Sequence, residues 1–223
     1  MELFSSLTYK KSLRQLRGVL GFAGFLIVIY AVERLAATLL GFPNERLMLE
    51  MLSVEQKRLL VFTIGPFVHR GVSHIAENLV FLLIFGGYIE WQVGWRKLYL
   101  YCAATGYGAS WILLLIIGGA GAVGASSITN GLEAVAGIVG FVRVVEELLS
   151  VDSGADILRC VSHVFPFVIG LGFAASAIQA ATMSPTDATQ AIHAIGALLG
   201  IIAATYYPLA RLVTDGVVTE VLS

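Results

Sequence analysis

The sequence predicts an all-α membrane protein, and three observations support this fold class. Of the 223 residues, 57% are hydrophobic and only 13% are charged, about half the charged fraction of an ordinary soluble domain. The charged residues are grouped between long apolar stretches, and six of these stretches approach the ~20 residues that a membrane span requires. Because lipid offers no partners to backbone N–H and C=O groups, each stretch should be helical.

The resulting architecture is a six-helix transmembrane bundle. The first apolar run follows four basic residues, but it is long and no small-x-small cleavage site follows it, so we interpret it as a span and not as a signal peptide. Residues 1–17 then form a cytoplasmic N-terminal segment, 18–210 the membrane domain and 211–223 a cytoplasmic C-terminal tail. The predicted spans are 18–42, 72–89, 98–117, 126–145, 160–183 and 188–210.

The basic residues predict the orientation of these spans. With the N-terminus inside, nine Lys and Arg residues fall on the cytoplasmic side and four on the outside, which favours a multi-pass protein of the cell membrane with both termini cytoplasmic. The long outer loop, 43–71, carries apolar groups and is expected to lie in the membrane interface. A net charge of −1 gives no electrostatic support for binding nucleic acid.

Strongly polar residues inside spans are costly and mark functional sites. His74 and Asn78 open the second predicted span, Ser126 opens the fourth, and His193 lies near the start of the sixth. Even-numbered spans all run from outside to inside. These four residues should therefore lie at similar depth in the outer half of the membrane.

Each of these residues has a chemical capability that depends on its position. His74 and Asn78 are spaced i, i+4, so they share one helix face and can donate hydrogen bonds to a common point. Ser126 stands at a helix N-terminus, where free backbone N–H groups can hold an anion. His193 is followed by Gly196 and Gly200 on the same face, which allows a neighbouring helix to approach closely.

Together these residues could supply a nucleophile, a general base and oxyanion donors. No aspartate lies within a span, so a Ser126–His193 dyad is the natural interpretation. The sequence has no His-Glu-x-x-His motif and no pair of intramembrane aspartates. We therefore expect no metal ion and no cofactor.

Three separated motifs resemble those of the rhomboid family of intramembrane serine proteases. They are His69-x-x-x-x-His74-x-x-x-Asn78, Gly124-Ala125-Ser126 and His193-x-x-Gly196-x-x-x-Gly200. A weaker fourth match is Glu90-x-x-x-Gly94-x-Arg96. The motifs occur in the family's order and on the corresponding helices, over about residues 18–210.

The resemblance implies a rhomboid-like bundle with Ser126 as nucleophile, His193 as general base and acid, and His74 and Asn78 in the oxyanion hole. It also implies single-span transmembrane substrates that are cleaved in or near the lipid bilayer. We expect the catalytic and oxyanion groups to be supported by neighbouring residues, namely Asn130, Gly124 and His69. Gly196 and Gly200 are expected to allow close helix packing.

The sequence departs from the family pattern at two positions. Ser127 follows the nucleophile where the family usually has glycine, so Ser127 is a second candidate nucleophile. Asn130 replaces an aromatic residue that usually packs on the histidine ring, and it could hydrogen-bond the imidazole instead.

Other functions also remain open. One is a catalytically silent rhomboid-like protein that binds membrane clients. Another is a small transporter that uses the intramembrane polar groups as a pathway. For His74 and Asn78 alone, a polar helix–helix contact is the simpler interpretation.

Overall fold

The computed structural model describes residues 16–42, 51–117, 125–149, 154–184 and 187–214, and these residues form α-helices without any strand. The all-α prediction is therefore confirmed. The helices are α1 (Arg17–Leu39), α2 (Val54–Thr63), α3 (Val72–Val93), α4 (Trp95–Ile117), α5 (Ser126–Leu149), α6 (Gly154–Met183) and α7 (Ala188–Thr214). One turn of α3, Leu82–Gly86, is widened to a π-helix.

Each of the six predicted spans coincides with one long helix. Five of these helices (α1, α3, α4, α6 and α7) are long and apolar enough to cross a membrane. The largest boundary difference is at α6, which begins at Gly154 instead of residue 160. The added segment, 154–159, contains Asp156 and Arg159, and these two charges kept it out of the predicted apolar span.

The remaining predicted span, the fourth (126–145), forms α5, which is not among those five. α5 lies at the centre of the bundle and packs on α3, α4, α6 and α7. Half of its 24 residues are buried, among them Thr129 and Glu133. A helix that is surrounded by protein does not need a lipid-compatible surface, so it can carry polar groups.

The start of α1 is anchored by a carboxylate from α3. The Gly18 and Val19 N–H groups donate to the two carboxylate oxygens of Glu90, at 2.8 and 2.6 Å. These N–H groups lie in the first turn of α1, where no intrahelical acceptor exists. The Tyr99 hydroxyl of α4 also donates to the Gly18 carbonyl, at 3.0 Å. Glu90 and Tyr99 thereby fix α1 against α3 and α4.

The described part of loop 43–71 contains α2 and a short 3₁₀ turn, Gly65–Phe67. Ser53 and Gln56 form a reciprocal capping box at the start of α2, which satisfies two free N–H groups. At the other end of α2, the Tyr107 hydroxyl of α4 donates to the Thr63 carbonyl at 2.8 Å. This bond holds the loop against the bundle beside the start of α3.

Candidate active site

One cavity of about 430 Å³ lies where the N-terminal ends of α3, α5 and α7 meet. The four residues that the sequence placed at similar depth (Ser126, His193, His74 and Asn78) all line it. The second half of α6, which runs in the opposite direction, contributes Phe173 to the wall. The complete lining is Arg70, His74, Glu77, Asn78, Phe81, Ser126, Thr129, Asn130, Glu133, Phe173, Thr189, Ile192 and His193.

Ser126 is the first residue of α5 and is half-buried at the edge of the cavity. The ladder of α5 begins with the Thr129 N–H, which donates to the Ala125 carbonyl at 2.9 Å. The N–H groups of the first turn before Thr129 therefore have no acceptor within the helix. The hydroxyl and a set of backbone donors are thus presented together at the start of one helix.

Ser127 occupies a different environment from Ser126. Its side chain is fully buried and does not line the cavity. Its hydroxyl oxygen has no hydrogen-bond partner among the described residues. A substrate in the cavity would therefore meet Ser126 and not Ser127.

His193 lies in the second turn of α7 and presents a half-buried ring to the cavity. Its Nε2 atom is buried and makes no hydrogen bond within the described part of the chain, so it is not bonded to Ser126 in this structure. An imidazole nitrogen without a partner can still accept a proton from a group that approaches it. Catalytic hydrogen bonds are often long or unformed until substrate binds.

Glycines bring α7 against α5 beside these two residues. A Cβ atom at Gly196 would overlap the backbone of Ser127, and one at Gly200 would overlap the backbone of Gly131. The two helices are therefore in backbone contact over one full turn, as small residues allow in membranes. Gly137, further along α5, packs on Leu171 of α6.

His74 lines the cavity from the first turn of α3. Its Nδ1 atom accepts a long hydrogen bond of 3.4 Å from the Arg70 N–H. In a neutral imidazole whose Nδ1 accepts, the proton is carried by Nε2. His74 can therefore act as a hydrogen-bond donor without carrying charge.

Asn78 lies one turn deeper on the same helix and is only 3% exposed. The Thr129 hydroxyl of α5 is 3.1 Å from Asn78 Oδ1 and 3.1 Å from the Ser126 carbonyl oxygen, so its proton is shared between these two acceptors. Asn78 Nδ2 is buried without a partner among the described residues. Thr129 thus fixes the amide so that its oxygen faces α5 and its NH₂ group is left as a free donor.

Asn130 also lines the cavity, but it does not make the contact suggested from the sequence. Its Nδ2 atom donates to the Ser126 carbonyl at 2.7 Å, and Nε2 of His193 has no partner in the part of the chain that the structure describes. Asn130 therefore bonds back by one turn within its own helix, as asparagine can do in a helix interior. Gly124, the other residue expected to support the site on this side, lies outside the described residues.

His69 is fully buried in the loop just before α3. Its N–H donates to a carboxylate oxygen of Glu33 on α1 at 3.0 Å, and its ring lies edge-on to that of His74, with centroids 5.3 Å apart. Burial, together with the neighbouring His74, lowers the pKa of His69 to about 4. His69 is therefore a neutral ring that supports His74 from behind.

Several residues of the site were not found from the sequence. Thr129 orients Asn78, which lies 51 residues earlier in the sequence. Glu33 accepts a hydrogen bond from the backbone of His69, which lies 36 residues later. Neither contact has a spacing that helical periodicity could reveal. Glu133 also lies in the wall of the cavity.

The fold and the cavity define a class of protein: a helical, integral membrane protein with a polar cavity at one end of its bundle. The family model for the Rhomboid domain matches residues 56–210, well over half of the chain. The chain therefore belongs to the rhomboid family. The match begins inside α2, so α1 lies outside it. Searches of curated proteins and of solved structures each returned no significant match.

Proposed function

We infer that this protein is an intramembrane serine endopeptidase that hydrolyses peptide bonds in or near the transmembrane segments of other membrane proteins. Its family consists generally of such proteases, although silent members exist. The observation that carries the proposal is the composition of one cavity. It holds a helix-starting serine, a histidine whose Nε2 makes no hydrogen bond with any described residue, and two further hydrogen-bond donors.

In the proposed reaction Ser126 is the nucleophile. As its Oγ attacks the substrate carbonyl carbon, Nε2 of His193 takes the hydroxyl proton. His193 then gives this proton to the leaving amine, and the C–N bond breaks to leave an ester on Ser126. Water, deprotonated by the same histidine, hydrolyses the ester and regenerates the free serine.

Negative charge on the carbonyl oxygen would be stabilised by donors that are already in place. The candidates are Asn78 Nδ2, His74 Nε2 and the free N–H groups of the first turn of α5. Fixed donors of this kind stabilise the developing oxyanion more than the ground-state carbonyl, which lowers the barrier. The substrates would be single-span proteins that enter from the bilayer.

A catalytically silent, client-binding member of the family is the second candidate. One observation favours it, namely that no hydrogen bond joins Nε2 of His193 to Ser126. The transporter alternative has no comparable support, because the polar groups described here converge at one end of the bundle.

Cleavage of a model single-span substrate by the purified protein in detergent tests the proposal. Ser126→Ala should abolish cleavage, whereas Ser127→Ala should retain much of it, since the Ser127 side chain does not reach the cavity. Each variant loses one serine hydroxyl oxygen, and the two positions are adjacent, so each variant is the control for the other. Loss of cleavage in the Ser127 variant alone would overturn the assignment.

A further inference from the structure

Glu133 is a buried carboxyl group in the wall of the catalytic cavity. It lies on α5 two turns below Ser126, is 4% exposed and lines the same cavity. It makes no hydrogen bond and no ion pair with any residue that the structure describes. The proposed chemistry does not use it. A polar group with no protein partner therefore faces the space that a substrate would occupy.

Such a group is costly unless something pairs with it. A buried carboxylate without a hydrogen bond or a counter-charge is strongly disfavoured. The nearest cation deeper along α5 is Arg143, and it is already bonded to Gln92 and Glu146. Glu77 also lines the cavity but is exposed, so water can solvate it. A cationic partner that enters the cavity would therefore stabilise the carboxylate of Glu133 more than that of Glu77.

The walls beside Glu133 indicate the shape of that partner. Phe81 of α3 and Phe173 of α6 line the cavity and contact each other edge-on, with centroids 5.3 Å apart. These rings form an apolar passage toward a carboxyl group. A side chain with a long hydrocarbon stem and a cationic end fits this lining. Its stem would pack on the two rings, and its charge would lie beside the carboxylate.

The depth of Glu133 also favours a long side chain. Seven helical residues separate it from Ser126, which corresponds to about 10 Å along the axis. Glutamate in a helix leans toward the N-terminus, so its carboxyl group shortens this distance by a few ångströms. The remaining gap is close to the reach of a lysine or arginine, about 6 Å from Cα. The side chain of alanine or serine is too short to reach the carboxyl group of Glu133.

We propose that Glu133 is a specificity-determining residue that selects substrates with lysine or arginine at the residue whose carbonyl is attacked. This inference rests on the proposed protease function. When that carbonyl carbon is bonded to Ser126, the adjoining Cα lies at the top of the cavity. Its side chain is then the one that points toward Phe81, Phe173 and Glu133.

The test uses one single-span substrate in three forms, with lysine, methionine or alanine at that residue. Methionine has a long, neutral side chain, so the lysine-to-methionine ratio of kcat/KM isolates the charge. The wild-type ratio should be at least about tenfold, which is the discrimination that one buried polar contact can supply. Glu133→Gln should reduce it to about one. Because the ratio is measured within one preparation, a lower amount of active protein does not affect it.

Glu77→Gln is the matched control, since it removes a carboxylate of the same cavity that is exposed. The ratio should stay near the wild-type value in this variant. A wild-type ratio near one, an unchanged ratio in Glu133→Gln, or an equal loss in Glu77→Gln would each overturn the proposal. Failure of the protease function itself would look different: none of the three substrates would be cleaved by the wild-type protein.

Discussion

Asn78 and His74 occupy one face of α3, but their surroundings fix them to different degrees. The Asn78 amide is buried and oriented by Thr129 at 3.1 Å. His74 is half-buried and accepts one long hydrogen bond of 3.4 Å. Hydrogen bonds at such lengths are weak. Asn78 is therefore the better-fixed of the two donors.

This difference leads to a prediction about turnover. His74→Ala and Asn78→Ala should each reduce kcat by about 10²- to 10³-fold, the usual cost of removing one oxyanion donor. Thr129→Val should cost less, because the amide donor remains and only its orientation is lost. Substrate cleavage would be measured on protein whose thermal stability has been checked. Normal turnover in both alanine variants would return His74 and Asn78 to a role in helix packing alone.

The residues of the site were partly predictable from the sequence. The i, i+4 pair on α3, the serine at a helix start and the histidine before two glycines are local patterns, and the structure brings all of them to one cavity. The contact of Asn130 was not predicted, because the sequence suggested a bond to the imidazole and the side chain bonds to its own helix instead. Thr129 and Glu33 were missed because their partners are distant in the sequence.

At the level of elements, the contact between α5 and α7 sets the relative position of Ser126 and His193. Gly196 and Gly200 allow this contact, because their missing side chains leave room for the α5 backbone at Ser127 and Gly131. Backbone atoms cannot move aside as the end of a flexible side chain can. Any added side chain must push the two helices apart.

Gly196→Ala is therefore expected to destabilise the protein by about 1–3 kcal/mol, a typical cost of overpacking, and to lower activity by displacing His193. Gly172→Ala on α6 is the matched control, since a Cβ atom there would meet nothing within 4 Å. That variant should be neutral or slightly stabilising, because alanine is the better helix former. Thermal unfolding in detergent distinguishes the two. Equal stability of both variants would contradict the proposed role of this contact.

The helices themselves were well predicted from hydropathy, but the burial of one of them inside the bundle was not. Span 126–145 was recognised as a helix, but its position inside the bundle was not. Burial by other helices cannot be inferred from one segment alone. The capping of α1 by Glu90 was also missed, because it joins residues 71 and 72 positions apart.

For the whole molecule, the distribution of basic residues makes a prediction about topology. Six spans with nine basic residues on one side and four on the other should place both termini in the cytoplasm and the 43–71 loop outside. Reporter fusions at each terminus and within the loop would measure this. A C-terminus on the outer side would require an odd number of spans, and it would contradict the common depth of Ser126, His193 and His74.

The most direct test of the central claim is labelling of the folded, purified protein with a serine-reactive fluorophosphonate, followed by mapping of the modified peptide. The wild-type protein should be labelled at Ser126, and Ser127→Ala should be labelled equally. Ser126→Ala and His193→Ala should not be labelled, the first because the nucleophile is absent and the second because the serine has lost its base. A folded wild-type protein that is not labelled, or is labelled at Ser127, would contradict the account.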